Sequence, residues 1–142
     1  MQLKSAIDPD TLRAYTETHY RVLGDAPTTL HIGHANPDLA ELHRVFGVDC
    51  SAFITAANPF SSLTAATANA VRQSALADQL GLMKLRFIEG IGEHPSGTWP
   101  AEPSFLVLGL ILSDAKQLGT NHGQNAIIWC GSDTVPQLIL LR

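Results

Sequence analysis

Apolar positions along this chain recur first every three to four residues and then every second residue, and each change of spacing marks a new predicted element. Asp8 followed by Pro9 has the form of an N-cap with proline at the first helical position, and Leu12, Tyr15, His19 and Val22 then recur at helical spacing up to Gly24. The spacing predicts a helix over about 9–23. Thr28 to Gly33 reads as a short strand, after which Asn36-Pro37 repeats the cap signature ahead of Leu39, Leu42 and Phe46, with Gly47 as the stop. Ser51 to Thr55 is β-branched and aromatic and ends at the turn dipeptide Asn58-Pro59. From Leu63 to Leu80, alanines together with Arg72, Leu76 and Leu80 lie at helical spacing until Gly81, which predicts the longest helix.

Leu85, Phe87 and Glu89 alternate with Lys84, Arg86 and Ile88, so 84–89 reads as a strand. Gly90 to Pro103 then reads as a loop of about 14 residues, a length at which loops are usually functional or mobile. Phe105 to Leu112 is apolar on both faces, as a strand covered on both sides would be, and this places it at the centre of a sheet. Ser113 can cap a short helix through Leu118, and the polar stretch Gly119 to Asn125 precedes two apolar strands, Ala126–Cys130 and Gln137–Leu141. Strands alternating with helices in this order predict an α/β or α+β domain spanning 1–142, with a single mixed sheet of about five or six strands and helices packed on it.

Composition narrows the class. Apolar residues make up 45% of the chain and charged residues 15%, against roughly 25% charged in an average soluble protein, so the surplus must enter a core or a subunit interface, and disorder is excluded. The longest apolar run, Phe105 to Leu112, falls far short of the roughly 20 residues that span a bilayer. Met1 to Asp10 carries one lysine and no apolar stretch, so no secretory signal is expected and the protein reads as cytoplasmic. Cys50 and Cys130 stand 80 positions apart without CxxC spacing, which suits small buried hydrophobes in a reducing compartment. The net charge is −4 and the basic residues scatter from Lys4 to Arg142, which argues against nucleic acid as a partner.

Few motifs carry chemistry. His31-Ile32-Gly33-His34, between a strand and a helix, resembles the signature of class I aminoacyl-tRNA synthetases and related nucleotidylyl transferases, where the histidines stabilise ATP phosphates. Against that, the chain is too short for a synthetase, the partner lysine-serine loop is absent, and the helix starts only at Asn36-Pro37. As a metal pair, His31 and His34 lack a third ligand, so no metal is expected. Gly90-Ile91-Gly92 has its next glycine only at Gly97 and fails the dinucleotide fingerprint; no cofactor is expected. What remains is a set of polar residues at element ends. Thr55 to Ser62 leads into the longest helix, where Asn69 and Arg72 share one face. Leu76 lies on the Arg72 face, which directs that arginine toward the sheet. Glu102 immediately precedes the central strand and Gln124-Asn125 the next one; if those two strands run parallel, both polar groups lie at one edge. His94 with Glu93 reads either as an acid–base pair or as a solvated loop, and Trp99 and Trp129 read as core or rim packing.

The run Phe53-Ile54-Thr55-Ala56-Ala57-Asn58-Pro59, then Asn69 with Arg72, then Trp99 to Gly109, then Gly123-Gln124-Asn125-Ala126-Ile127 resembles the bacterial domain-of-unknown-function family 3293 from Tyr15 to the C-terminal strand. That family often has a tryptophan where this chain has Ala57, a glutamate at Ala68 and an aromatic at His122, so the resemblance implies neither a stacked indole nor an extra carboxylate here. It implies no particular activity. The leading expectation is one polar pocket, lined by Asn58, Asn69, Arg72, Glu102 and Gln124, that binds a small anionic or amide-bearing ligand. In that pocket Arg72 and Glu102 either serve a ligand or form a buried ion pair that braces the fold. The alternative is a non-catalytic module whose apolar surplus makes a homodimer or partner interface, and the third reading is an ATP site at His31 and His34.

Overall fold

The computed structural model describes residues 5–142. In chain order the elements are α1 (Pro9–Glu17), β1 (His19–Val22), β2 (Thr28–Leu30), α2 (Pro37–Phe46), β3 (Ser51–Ile54), a short 3-10 turn (Pro59–Ser61), α3 (Ala66–Leu82), β4 (Arg86–Glu93), β5 (Glu102–Leu108), α4 (Leu112–Asn121), β6 (Ala126–Cys130) and β7 (Pro136–Leu140). The α/β class expected from the sequence is the one observed. The sheet has seven strands in the order β2-β1-β4-β5-β3-β6-β7, and every neighbouring pair is antiparallel where a mixed sheet was expected.

The additional strand is β1, which the helical spacing assigned to the first helix. Leu12 and Tyr15 do belong to α1, but from His19 onward the burial alternates, with Tyr20 and Val22 inside and His19 and Arg21 outside. Val22 fits a helical spacing with His19 and a spacing of two with Tyr20, and pairing with β4, from His19↔Glu93 to Val22↔Gly90, decides between them. The strand expected over Phe105–Leu112 ends at Leu108, with α4 starting at Leu112, and the expected Gly90–Pro103 loop is strand at both ends, in β4 up to Glu93 and in β5 from Glu102; for α2 local chemistry was sufficient. Asn36 caps α2 by accepting from Leu39 N at 2.9 Å, Pro37 follows, and Gly47 ends the helix in the left-handed conformation at φ 67°.

β5 is the central strand, as its apolar faces required. Phe105 and Val107 join Ala52, Ile54 and Ile127 beneath Leu76 and Leu80 of α3 and Ala115 and Leu118 of α4. Leu106 and Leu108 point the other way, onto Phe53, Ile128, Val22 and the α2 residues Leu39 and Leu42. On that second face Gly90 leaves room for the Phe53 ring; a Cβ there would lie 2.6 Å from Phe53 Cε2 and 2.8 Å from Arg21 O. The sheet curls until its edges are bridged: Gly33 N, just beyond edge strand β2, donates to Pro136 O of the opposite edge strand β7 at 2.9 Å, and Asn36 N donates to Thr134 O at 3.1 Å. Among the described residues no helix is long and apolar enough to cross a membrane.

Two consequences of this topology place the site. β5 and β6 are both antiparallel to β3, so they run parallel to each other on either side of it. Glu102 at the start of β5, Gln124 just before β6 and the Asn58 turn after β3 therefore meet at one end of the sheet. β1 also begins there, opposite Glu93, which brings the preceding α1 over the same end.

Candidate functional site

A cavity of about 330 Å³ opens at this end of the curled sheet. Its apolar side is formed by Phe53, Ile127, Ile128, Leu138 and the ring of Tyr20, its polar side by Asn58, Trp99, Glu102, Ser104 and Gln124, and its roof by α1. The volume lies at the low end of the range usual for small-molecule sites, and barrel mouths are a recurrent location for them.

Asn58 organises the polar side. Its backbone is left-handed, at φ 46°, a conformation that asparagine tolerates better than most residues, and Phe60 and Ser61 follow with φ of 57° and 56°. Asn58 Nδ2 donates to Glu102 Oε2 at 2.7 Å, and its Oδ1 accepts from Thr64 N at 3.0 Å and from Asn69 Nδ2 at 2.9 Å. In return Asn58 N donates to Asn69 Oδ1 at 2.9 Å. Trp99 Nε1 supplies the second donor to Glu102 Oε2, at 3.2 Å. Burial pushes the Glu102 carboxyl above its ordinary value, against the opposing pull of the Asn58 and Trp99 hydrogen bonds.

The remaining oxygens of the polar side are open. Gln124 Nε2 is occupied by Ala57 O at 3.1 Å and His122 O at 3.3 Å. Neither Glu102 Oε1 nor Gln124 Oε1 has a hydrogen-bond partner among the described residues, and neither is fully buried, since the one fully buried unpaired side-chain atom among the described residues is Gln73 Nε2 at the second hollow; both residues line the cavity. Among the described residues no lysine or arginine lines the cavity; Asp10, Glu102 and His94 are the titratable groups lining it there apart from two tyrosines. The described part of the wall thus presents acceptors and no fixed positive charge.

Of the five residues expected to line one pocket, Asn58, Glu102 and Gln124 do so. Asn69 lies behind Asn58, facing a second hollow of about 570 Å³ between α3 and the Pro100–Pro103 segment. Arg72 lines neither; its Nη1 reaches Thr64 Oγ1 at 3.1 Å and Asn69 Oδ1 at 3.4 Å. The Arg72–Glu102 ion pair considered from the sequence does not form, because the Asn58 amide occupies the carboxylate and α3 carries Arg72 onto the outer side of the asparagine pair. His94 is likewise not paired with Glu93. Glu93 bonds Arg21 at 2.7 Å across the β1–β4 ladder, and His94 Nε2 meets Glu17 Oε2 of α1 at 2.9 Å. His31 and His34 are exposed at the turn beyond β2 and do not line the cavity. Gly90-Ile91-Gly92 lies within β4. Among the described residues no group of three or more His, Cys, Asp or Glu is placed to hold a metal ion.

Sequence reasoning missed the two tyrosines and the role of Trp99. Tyr15, hydrogen-bonded to Ser61 Oγ, roofs the site, and Tyr20, its phenol pushed above the ordinary value by burial, donates to Tyr15 O at 2.5 Å. Both fall inside the 9–23 span that the spacing of Leu12, Tyr15, His19 and Val22 predicts as one helix, and no local signal marks either side chain as a cavity residue.

A protein-family model described as Protein of unknown function (DUF3293) matches residues 54–127, a segment that contains Asn58, Asn69, Arg72, Glu102 and Gln124. No curated protein and no solved structure matches the chain.

Proposed function

Since the chain belongs to the family described as Protein of unknown function (DUF3293), whose description carries no activity, we propose its function from the cavity alone: it binds a small amide-bearing molecule at the mouth of the curled sheet. The observation that carries this reading is the pair of open acceptors, Glu102 Oε1 and Gln124 Oε1, in a wall that has no lysine or arginine among the described residues. A ligand amide or related N–H group supplies the donors those oxygens lack, and an apolar body of about one ring packs on Phe53, Ile128 and Leu138. The anionic half of the sequence expectation loses its support, because Arg72, the cation it relied on, lies outside the cavity. Free, buried Cys50 and Cys130 accord with a reducing compartment such as the cytoplasm.

The test is a thermal-shift screen of small carboxamides and amidines beside phosphates and carboxylates, with native mass spectrometry for copurifying compounds. A ligand present at about 100 times its Kd adds about 2.7 kcal/mol, which is several degrees of Tm for a domain of this size. Carboxamides should raise Tm in the wild type and less in Glu102→Gln. Stabilisation by anions alone, or equal stabilisation of both proteins, would overturn the reading.

A second reading, self-association, draws on the exposed side chains Leu63, Val71 and Leu82 in and before α3. A monomeric mass in solution at high concentration would remove it.

A further inference from the structure

The way α1 is attached points to motion. This nine-residue helix has no buried residue, although Asp10, Thr11, Ala14 and Tyr15 form the roof of the cavity. Helices in folded proteins are normally held by a buried apolar stripe, and one this short is marginal without it. What holds α1 is polar and gathered in its last turn. Tyr15 Oη bonds Ser61 Oγ and accepts from Asn125 Nδ2 at 3.2 Å, and Glu17 meets His94 at 2.9 Å in a partly exposed contact of a kind that contributes little. Just outside the helix the chain is fixed, by Ile7 at 6% exposure on one side and by Tyr20 at 8% in the β1 ladder on the other. The helix is joined to each anchor through a flanking residue in extended backbone, Asp8 at φ −58°, ψ 136° next to Ile7, and Thr18 at φ −66°, ψ 141° followed by His19 of β1.

Resting on the reading of the cavity as a ligand site, we propose that α1 is its gate, a helix that lifts as a unit between the Ile7 and Tyr20 anchors when the Tyr15 and Glu17 contacts break. The Tyr20 phenol holds the Tyr15 carbonyl and keeps the last turn near its pivot. Ser61 and Asn125, which hold Tyr15 in the closed position, lie beside the cavity's polar side, so the strained Asn58–Ser61 turn sets both the ligand wall and the catch of the gate. Two discrete holds on an element whose inward face, Thr11, Leu12, Ala14 and Tyr15, is only half-buried make a low-stability unit of the kind that opens locally.

The experiment uses the ligand-free protein, so its outcome is separate from that of the thermal-shift screen. Hydrogen exchange should show the α1 amides exchanging at least about 100-fold faster than those of β3 and β5, and Tyr15→Phe or His94→Gln should speed α1 by about 3–10-fold while leaving the sheet unchanged. Opening of the cavity is read by alkylation of Ser104→Cys with iodoacetamide, since Ser104 lines the cavity at 4% exposure while native Cys50 and Cys130 are buried outside its lining. Tyr15→Phe in that background should raise the alkylation rate by a similar factor. Protection of α1 equal to that of β3 and β5, acceleration of all elements alike, or an alkylation rate indifferent to Tyr15→Phe would overturn the gate. Failure of the carboxamide screen with these results intact would remove the ligand reading and leave the moving helix.

Discussion

Replacing Asn58 with aspartate tests the centre of the site with one atom. The Nδ2 that donates to Glu102 Oε2 at 2.7 Å becomes an oxygen, while Oδ1 keeps its role as acceptor for Thr64 N and Asn69 Nδ2, and aspartate tolerates the left-handed backbone nearly as well. Two carboxylates at that separation in a largely buried site cannot both ionise; they share a proton, as in carboxylate dyads. The wild-type carboxyl already has a raised pKa through burial, and the change removes one of the two donors that lower it. The folded variant therefore binds one proton more than the unfolded chain at pH values above the ordinary carboxylate pKa. With that sign, stability falls as pH rises, by about 1.4 kcal/mol per unit, until the raised pKa of the pair is passed. Across the two to three units between an unfolded carboxyl and neutrality the penalty is about 3–4 kcal/mol, a large part of a typical domain stability of roughly 5–15 kcal/mol. Urea denaturation of wild type and Asn58→Asp from about pH 4 to pH 8 measures it, with the two curves converging at the acid end. A difference that does not vary with pH would refute the argument, because it would mean that the Asn58 amide does not face the Glu102 carboxyl.

Gly90→Ala should cost about 1–3 kcal/mol or more by chemical denaturation, since the new Cβ meets both the Phe53 ring and the Arg21 carbonyl, and backbone cannot yield as a side-chain tip can. His31→Ala combined with His34→Ala should change stability by no more than about 0.5 kcal/mol per site and leave any carboxamide binding intact; loss of an ATP-dependent activity would revive the nucleotidylyl-transferase reading. Deleting residues 136–142 removes the ladder from Ala126↔Leu140 to Cys130↔Pro136 together with the Gly33–Pro136 bridge that curls the sheet, so the truncated chain should lose its cooperative thermal transition by circular dichroism.

Much of the fold could be read from local chemistry. Asn36-Pro37 and Gly47 delimit α2 because a cap and a left-handed stop act within one turn of chain. The doubly apolar Phe105–Leu112 run marks the central strand, of which the structure keeps Phe105–Leu108, because only a strand covered on both faces buries every side chain. Three residues of the cavity, Asn58, Glu102 and Gln124, were identifiable as polar groups at element ends, where chains leave a sheet with side chains free to converge. The rest depended on partners distant in sequence. His19–Val22 carries both spacings, and its strand identity comes from β4, about seventy residues on. Arg72 and Glu102 each looked available to the other, but the Glu102 partner is Asn58, 44 residues away, because antiparallel pairing through β3 sets that turn beside the start of β5. Tyr15 became a roof residue only once β1 was a strand and α1 ended before it. Caps, stops and double-sided apolarity act over a few residues and are written in the chain; the choice between two admissible spacings, and of which polar group reaches a buried carboxylate, falls to whichever long-range ladder satisfies the most backbone hydrogen bonds while burying the apolar faces.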